Sequence, residues 1–320
     1  MRLSAIFSAR FQNQLKSDEF GYTSKYDERN SRVINKDGTF NVKRVGEKKL
    51  IFHNLMTMSW WRFALFILFC YISINLLFAS LYYFIDPNGI GTTADFEMKH
   101  KFVIALFFSA QTLTTVGYGS LYPLDGTVSF ISSTEALFGL MGFAIFTGLM
   151  YGRFSRPVHG VRFSKNALIA PYKNGWSFQF RLANEMSNNL MELEARALLS
   201  IVLTENGNSI RRYLPLSLEN PKVSYIPLNW TCVHAIDEKS PLWNMTEKDF
   251  ADGNAEVLVM VKGFNDTFGQ EIHARSSYSF DEILWNKKYQ LPYYFAETGR
   301  TVFELDKLDA FEEAPSVSMN

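Results

Sequence analysis

Thr112-Leu113-Thr114-Thr115-Val116-Gly117-Tyr118-Gly119 is the stretch of this chain whose residue types and spacing suit a defined piece of chemistry. Gly117 and Gly119 permit main-chain φ values that a Cβ would oppose, so Thr114, Thr115, Val116, Gly117, Tyr118 and Gly119 can aim successive carbonyls at one axis. Four such loops supply rings of oxygen dipoles that replace the water around a dehydrated K⁺. The ion would sit at Thr115, Val116, Gly117 and Tyr118, with the Thr115 hydroxyl adding the innermost ring. One loop gives a quarter of each ring, so this chemistry requires a homotetramer. The bland alternative is a chance match in a surface turn, and the flanking elements decide between the two.

Those elements are apolar. Trp60–Ile85 carries one charge, Arg62, and exceeds the roughly 20 residues that cross a bilayer. A second span is predicted over 126–152, with Glu135 as its intramembrane acid and Arg153, Arg156 and Pro157 as its stop. Between them a helix over 97–112 contains Phe102–Ala110, too short to cross and placed to be re-entrant. Its C-terminal, negative end faces the ion cavity. Non-helical backbone at membrane depth is tolerated where it lines a cavity, which favours a filter at 114–119.

Composition agrees with a mixed protein. Lys+Arg and Asp+Glu are both 32 in 320 residues, so net charge is zero and no basic field argues for nucleic acid. Hydrophobic residues reach 47% with 29 Phe, yet mean hydropathy is −0.06, too polar for a chain lying wholly in lipid. Cys70 and Cys232 alone exclude a disulfide framework or multi-Cys zinc site. The five His are scattered without ligand spacing, so no cofactor, catalytic pair or enzyme is read here, and K⁺ is the permeant ion.

Lys43, Arg44, Lys48 and Lys49 precede the first span, and Arg153, Arg156, Arg162 and Lys165 follow the second. The connecting stretch has Lys99 and Lys101 against Asp86, Asp95, Glu97 and Asp125. The positive-inside rule then puts both termini in the cytoplasm and the chain in the cell (inner) membrane. The N-x-Thr sequons at Asn229, Asn244 and Asn265 fall on that side and read as chance.

No Arg-every-third-residue helix supplies a voltage sensor, and no G-x-G-x-x-G supplies a dinucleotide-type regulator. Residues 158–310 are β-rich: Phe178–Leu182, Glu192–Leu203, Glu256–Val261 and Ala274–Phe280 are separated by turn groups at 205–208, 251–254 and Lys262-Gly263. This pattern predicts an immunoglobulin-like sandwich, followed by a tail at 311–320. Residues 1–45 form an amino-terminal segment, and 46–58 an amphipathic interfacial helix with Leu50, Ile51, Leu55 and Met58 on one side. The pore domain occupies 59–157. Gly139, Gly142, Gly148 and Gly152 serve either close packing or, at Gly142 or Gly148, a hinge.

NKDGTFNVKRVG (35–46), TLTTVGYG (112–119), GLMYGRFSRP (148–157), FRLANE (180–185), HAIDEKSPLW (234–243) and ARSSYSFDEILW (274–285) stand in an order that resembles the inward-rectifier potassium channels of prokaryotic type. The resemblance spans nearly the whole chain. It implies that 46–58 is a slide helix, that Tyr151 closes the bundle crossing, and that Arg62, Arg153 and Arg156 meet anionic phospholipid or phosphoinositide. Val158 and His159 replace lysines of animal members, which argues against phosphoinositide activation. Phe143 stands where strong rectifiers place a cavity acid, so block by Mg²⁺ or polyamine is weak. Glu192 and Asp266 match acids of the cytoplasmic pore, or are ordinary solvated carboxylates. Gln111 replaces a filter-supporting Glu, and Ser120-Leu121 lacks that Glu's usual Arg partner. Glu135 either braces the pore helix from behind or is protonated and simply packed. The functional expectation is passive, selective K⁺ conduction, gated by the cytoplasmic domain and lipid. Its rival is a closed or non-conducting membrane sensor signalling through the sandwich.

Overall fold

The computed structural model describes residues 32–46, 51–93, 100–155, 160–205 and 208–314. Arg156, Val158, His159 and the interfacial-helix residues Lys48, Lys49 and Leu50 lie outside the described residues. The chain divides into two compact units, 45–156 and the remainder.

The first unit is helical: α1 (Ile51–Thr57), α2 (Trp60–Ile85), α3 (Lys101–Leu113) and α4 (Gly126–Phe154). Short strands β1 (Ile90–Thr92) and β2 (Leu121–Pro123) pair antiparallel. Helix α2 runs through an uninterrupted apolar sequence and stops at Asp86, extended at φ −146° and ψ 97° ahead of Pro87. The Asp125 side chain starts α4 by accepting the N–H groups of Thr127 and Val128 at 2.6 and 2.8 Å. Both α2 and α4 are long and apolar enough to cross a membrane. Helix α3 starts later than the expected 97: His100 is its extended cap, and 97–99 lie outside the described residues. Helix α4 runs past 152 to Phe154, through a buried Arg153. Phe78, Ala79 and Tyr82 of α2 pack with Ala105 and Phe108 of α3, so α3 is bedded on α2.

The second unit is the predicted sandwich. One sheet has β11 (Gln270–Ser279), β10 (Glu256–Asn265), β6 (Leu190–Glu205) and β7 (Asn208–Leu216) in that order, with β8 (Lys222–Tyr225) also on β6. The other has β12 (Ile283–Trp285), β4 (Ala167–Tyr172), β5 (Gly175–Asn184) and β3 (Val161–Phe163), with β9 (Asn229–Ile236) also on β5. Alternation along β6 sends Leu193, Ala195, Ala197, Leu199, Ile201 and Leu203 inward against Phe178, Phe180 and Leu182 of β5. Two expectations are corrected. Lys262-Gly263 is no turn but lies inside β10, where the register shifts opposite Glu192, a bulge that glycine marks. Residues 311–314 are no tail: β16 (Phe311–Glu313) pairs with β13 (Lys287–Tyr289), and Ala314 is buried. A short helix α5 (Glu247–Asp252), opened by a Thr246–Asp249 capping box, fills the turn region before β10. The hairpin β14–β15 (Tyr293–Phe295, Thr301–Phe303) completes the unit.

The amino-terminal segment belongs to this unit, with an isolated β-bridge between Ile34 and Phe40 in place of the expected strand. Val33 and Ile34 pack on Leu198, Tyr213 and Leu258, on the face of β6, β7 and β10 turned away from the core. Fully buried Glu256 accepts the N–H of Val33 at 2.7 Å and of Ile34 at 3.3 Å, with Arg211 at 3.6 Å. Arg32 forks onto Glu282 at 3.2 and 3.0 Å.

His234 locks the loop after β9. Its Nδ1–H donates to the Ser217 carbonyl at 2.7 Å, so Nε2 accepts from Ser240 Oγ at 2.8 Å. Burial holds its pKa below the usual histidine value, outweighing the opposing pull of Ser217 and Asp237. The folded chain therefore keeps His234 neutral at a pH where the unfolded chain binds a proton, and stability falls as pH drops below about 6.5. The melting temperature of His234→Gln should fall less between pH 7 and pH 5 than that of the parent protein; equal losses would remove His234 from the acid response.

Candidate functional site

Thr114 caps α3 by donating its N–H and hydroxyl to the Ala110 carbonyl, at 3.3 and 2.7 Å. Beyond it the backbone changes hand at alternate residues: φ is +58° at Thr115, +54° at Gly117 and +76° at Gly119, and not positive at Val116 or Tyr118. Alternation of this kind gathers N–H groups on one side of the chain and carbonyls on the other. The N–H groups of Val116 and Gly117 both turn to the Gln111 carbonyl, at 3.0 and 3.4 Å. Residues 114–119 are all exposed in the single chain, with no Cβ obstacle within 4 Å of Gly117 or Gly119. The left-handed Thr115 is the one position here where a β-branched residue bears a conformation that glycine favours. Such an edge of oxygen dipoles suits a desolvated monovalent cation.

The support behind this segment differs in part from expectation. Gln111 acts through its main-chain carbonyl, whereas its side-chain Oε1 is buried with no hydrogen-bond partner among the described residues. Glu135, fully buried, lies 2.6 Å from the Tyr82 hydroxyl and 2.5 Å from Ser109 Oγ. Ser109 is also 3.1 Å from Asn75 Oδ1, so one carboxyl ties α4 to both α2 and α3. Asn75 and Ser109 were not singled out in the sequence, although polar residues inside apolar helices are the available signal.

Along α4, Phe143, Thr147 and Tyr151 repeat at four-residue spacing on an exposed face. Phe143 is 69% and Tyr151 73% exposed, which leaves that stripe open to other copies of the chain. The glycines separate into two kinds. A Cβ on Gly139 would overlap the Leu113 carbonyl, and one on Gly152 the end of Met56, whereas Gly142 and Gly148 face nothing within 4 Å.

The three arginines are not equivalent. Arg62 is exposed, and Arg156 lies outside the described residues. Arg153 is buried; its guanidinium donates to the Leu55 carbonyl and, at 2.7 Å, to the Met58 carbonyl, and covers the rings of Trp60 and Phe63 at 4.6 and 4.4 Å. It is turned inward and caps the C-terminal end of α1.

Glu192 and Asp266 belong to the other unit, near the same end of the β6–β10 pair. Glu192, at φ +50°, is exposed at the bulge beside Glu194, Lys222, Lys262 and Glu271. Arg196 and Lys222 hold the Glu194 carboxyl below the usual range. Asp266 stands in the β10–β11 turn, donating its N–H to the Asn189 carbonyl at 3.2 Å.

Gly139→Ala should lower the yield and melting temperature of the detergent-purified protein by forcing α3 and α4 apart, whereas Gly142→Ala should leave the yield unchanged; equal behaviour would refute close packing at Gly139.

Comparison with known proteins is consistent along the chain. Residues 161–320 match the family described as inward rectifier potassium channel C-terminal domain, and residues 70–156 match the family described as ion channel. Inward rectifier potassium channel Kirbac3.1 of Paramagnetospirillum magnetotacticum is 32% identical over 285 residues, 87% of this chain and 95% of that protein. ATP-sensitive inward rectifier potassium channel 12 is 25% identical over 315 residues in Homo sapiens and in Mus musculus. Those matches cover 89% of this chain and 72% and 73% of the relatives.

Proposed function

The chain belongs to the inward rectifier potassium channel family, of prokaryotic type and not an enzyme, and from that premise we propose that it conducts K⁺ passively through an axis built by four copies of residues 114–119. The observation that carries this reading is the alternating hand at Thr115, Gly117 and Gly119, with the Val116 and Gly117 N–H groups tied to Gln111 and residues 114–119 exposed. An exposed row of carbonyls at membrane depth is costly unless an ion or protein satisfies it. A homotetramer lets the ion do so. Oxygen rings from Thr115, Val116, Gly117 and Tyr118 then replace its water.

In the same assembly the exposed stripe of Phe143, Thr147 and Tyr151 lines the way to the cytoplasm. Four Tyr151 rings close it by excluding water. Gly142 and Gly148, free of close neighbours among the described residues, allow α4 to bend there. Phe143 brings no charge to the cavity, so Mg²⁺ and polyamines block weakly. Glu192 concentrates cations in the cytoplasmic vestibule, and Asp266 does so secondarily. Both termini are cytoplasmic by the Lys/Arg asymmetry. Arg62 and Arg156 remain the residues for anionic phospholipid or phosphoinositide, each contributing about 1 kcal/mol, while Arg153 is committed to α1.

Liposomes containing the purified protein should take up ⁸⁶Rb⁺ in a Ba²⁺-sensitive manner, with no comparable ²²Na⁺ signal, and Gly117→Ala should abolish the uptake. Silence under every lipid, persisting in Tyr151→Ala, would overturn conduction in favour of a membrane sensor; silence relieved by Tyr151→Ala would identify a closed channel.

A further inference from the structure

The soluble unit holds a cavity of about 680 Å³ where the β4–β5 hairpin, the end of β9 and helix α5 meet. That volume falls within the roughly 300–1,000 Å³ typical of small-molecule sites. Five aromatic residues line it, Tyr172, Trp176, Trp243, Phe250 and Trp285, of which Tyr172 already carries the Lys173 ammonium over its ring at 4.8 Å. Phe250 and Trp285 meet edge to face at 5.3 Å, which fixes the wall from the α5 side. Trp176 and Trp243 are half-buried and complete it.

Charge at the cavity is one-sided once internal pairs are counted. Its charged lining residues are Lys173, Asp237 and Glu238. Lys173 is already matched: its Nζ is 2.7 Å from Glu219 Oε1, and Tyr172 donates to the same carboxylate at 2.6 Å. The Lys173 ammonium is held above the usual lysine range by that carboxylate, so its charge stays paired. Asp237 is aimed by its own turn, Oδ1 accepting the N–H groups of Lys239 at 2.9 Å and Ser240 at 3.1 Å. Glu238 is exposed and has no ion-pair or hydrogen-bond partner among the described residues. The cavity thus offers ring faces, which are electrostatically negative, together with two acids. An anion would meet repulsion from both, and a neutral ligand would leave them unused.

We propose that this cavity binds a small organic cation, an alkyl- or arylammonium whose apolar body lies against Trp176, Trp243 and Trp285 and whose charge faces Asp237 and Glu238. The site is separate from the carbonyl edge at 114–119 and goes beyond conduction: it gives the soluble unit a ligand of its own.

Isothermal titration of the full-length protein in K⁺ buffer with phenethylammonium, phenethyl alcohol and hydrocinnamate tests it. The ammonium should bind saturably, about tenfold more tightly than the alcohol, as an unopposed cation–π and carboxylate site requires. Hydrocinnamate should give no binding. Trp243→Leu should weaken the ammonium about tenfold and Glu238→Gln several-fold, with ⁸⁶Rb⁺ uptake retained in both. An ammonium also fits a cation pore, and binding that survives both substitutions unchanged would place it there and overturn the proposal. Equal affinity for alcohol and ammonium, or no saturable heat, would overturn it as well. Glu238 is exposed, so its substitution decides the matter even where Trp243→Leu fails to fold.

Discussion

A stretch of non-helical backbone set among membrane-crossing helices must have every N–H satisfied by the protein, because lipid satisfies none. The carbonyl of Gln111 meets that constraint for two N–H groups, those of Val116 and Gly117, and the Thr112 carbonyl for that of Thr115. Much of the helical unit follows from holding the Gln111 carbonyl in place. Helix α3 must end at Leu113, its axis must be bedded on α2 through Phe108 and Tyr82, and α4 must approach closely at Gly139. Glu135 then links all three helices through Tyr82 and Ser109. Each of these contacts is short and polar or sterically tight, which makes the segment 114–119 over-determined from behind and open in front.

The soluble unit solves a different problem with similar means. Its sandwich has an apolar interior between two sheets, yet Leu198, Tyr213 and Leu258 on the far face of one sheet are apolar too. The amino-terminal segment covers them, and a buried carboxylate, Glu256, accepts the N–H groups of Val33 and Ile34. Buried charge is tolerable here because Arg211 stands beside it and two backbone donors complete its partners. Residues far apart in the chain, 32–34 and 256–282, are consequently one structural element.

Apolar length and period-two alternation are strong signals, and they made α2 and the sandwich legible: Trp60–Ile85 needs no tertiary information, and β6 announces its inner face in Leu193 through Leu203. Signals that depend on what a side chain reaches were not legible. Arg153 looks the same in sequence whether it meets a lipid phosphate or the carbonyls of Leu55 and Met58. Gly263 reads as a turn because a bulge and a turn both favour glycine, and only the partner strand distinguishes them. Thr115 gives no local hint of its left-handed backbone, since β-branched residues disfavour it and surrounding structure imposes it. Helix α5 is short and polar, and its capping box was visible only at Thr246 and Asp249.

The guanidinium of Arg153 joins the end of α1 to the last turn of α4, two residues beyond Tyr151. It grips α1 by carbonyls that no longer have helical partners, and it is wedged between Trp60 and Phe63. A sideways push on α1 therefore has two outlets: it breaks charge-assisted hydrogen bonds in a buried setting, or it turns the end of α4 with it. Arg153 thus fastens the end of α1 to the last turn of α4, two segments almost a hundred residues apart in the chain, as one piece.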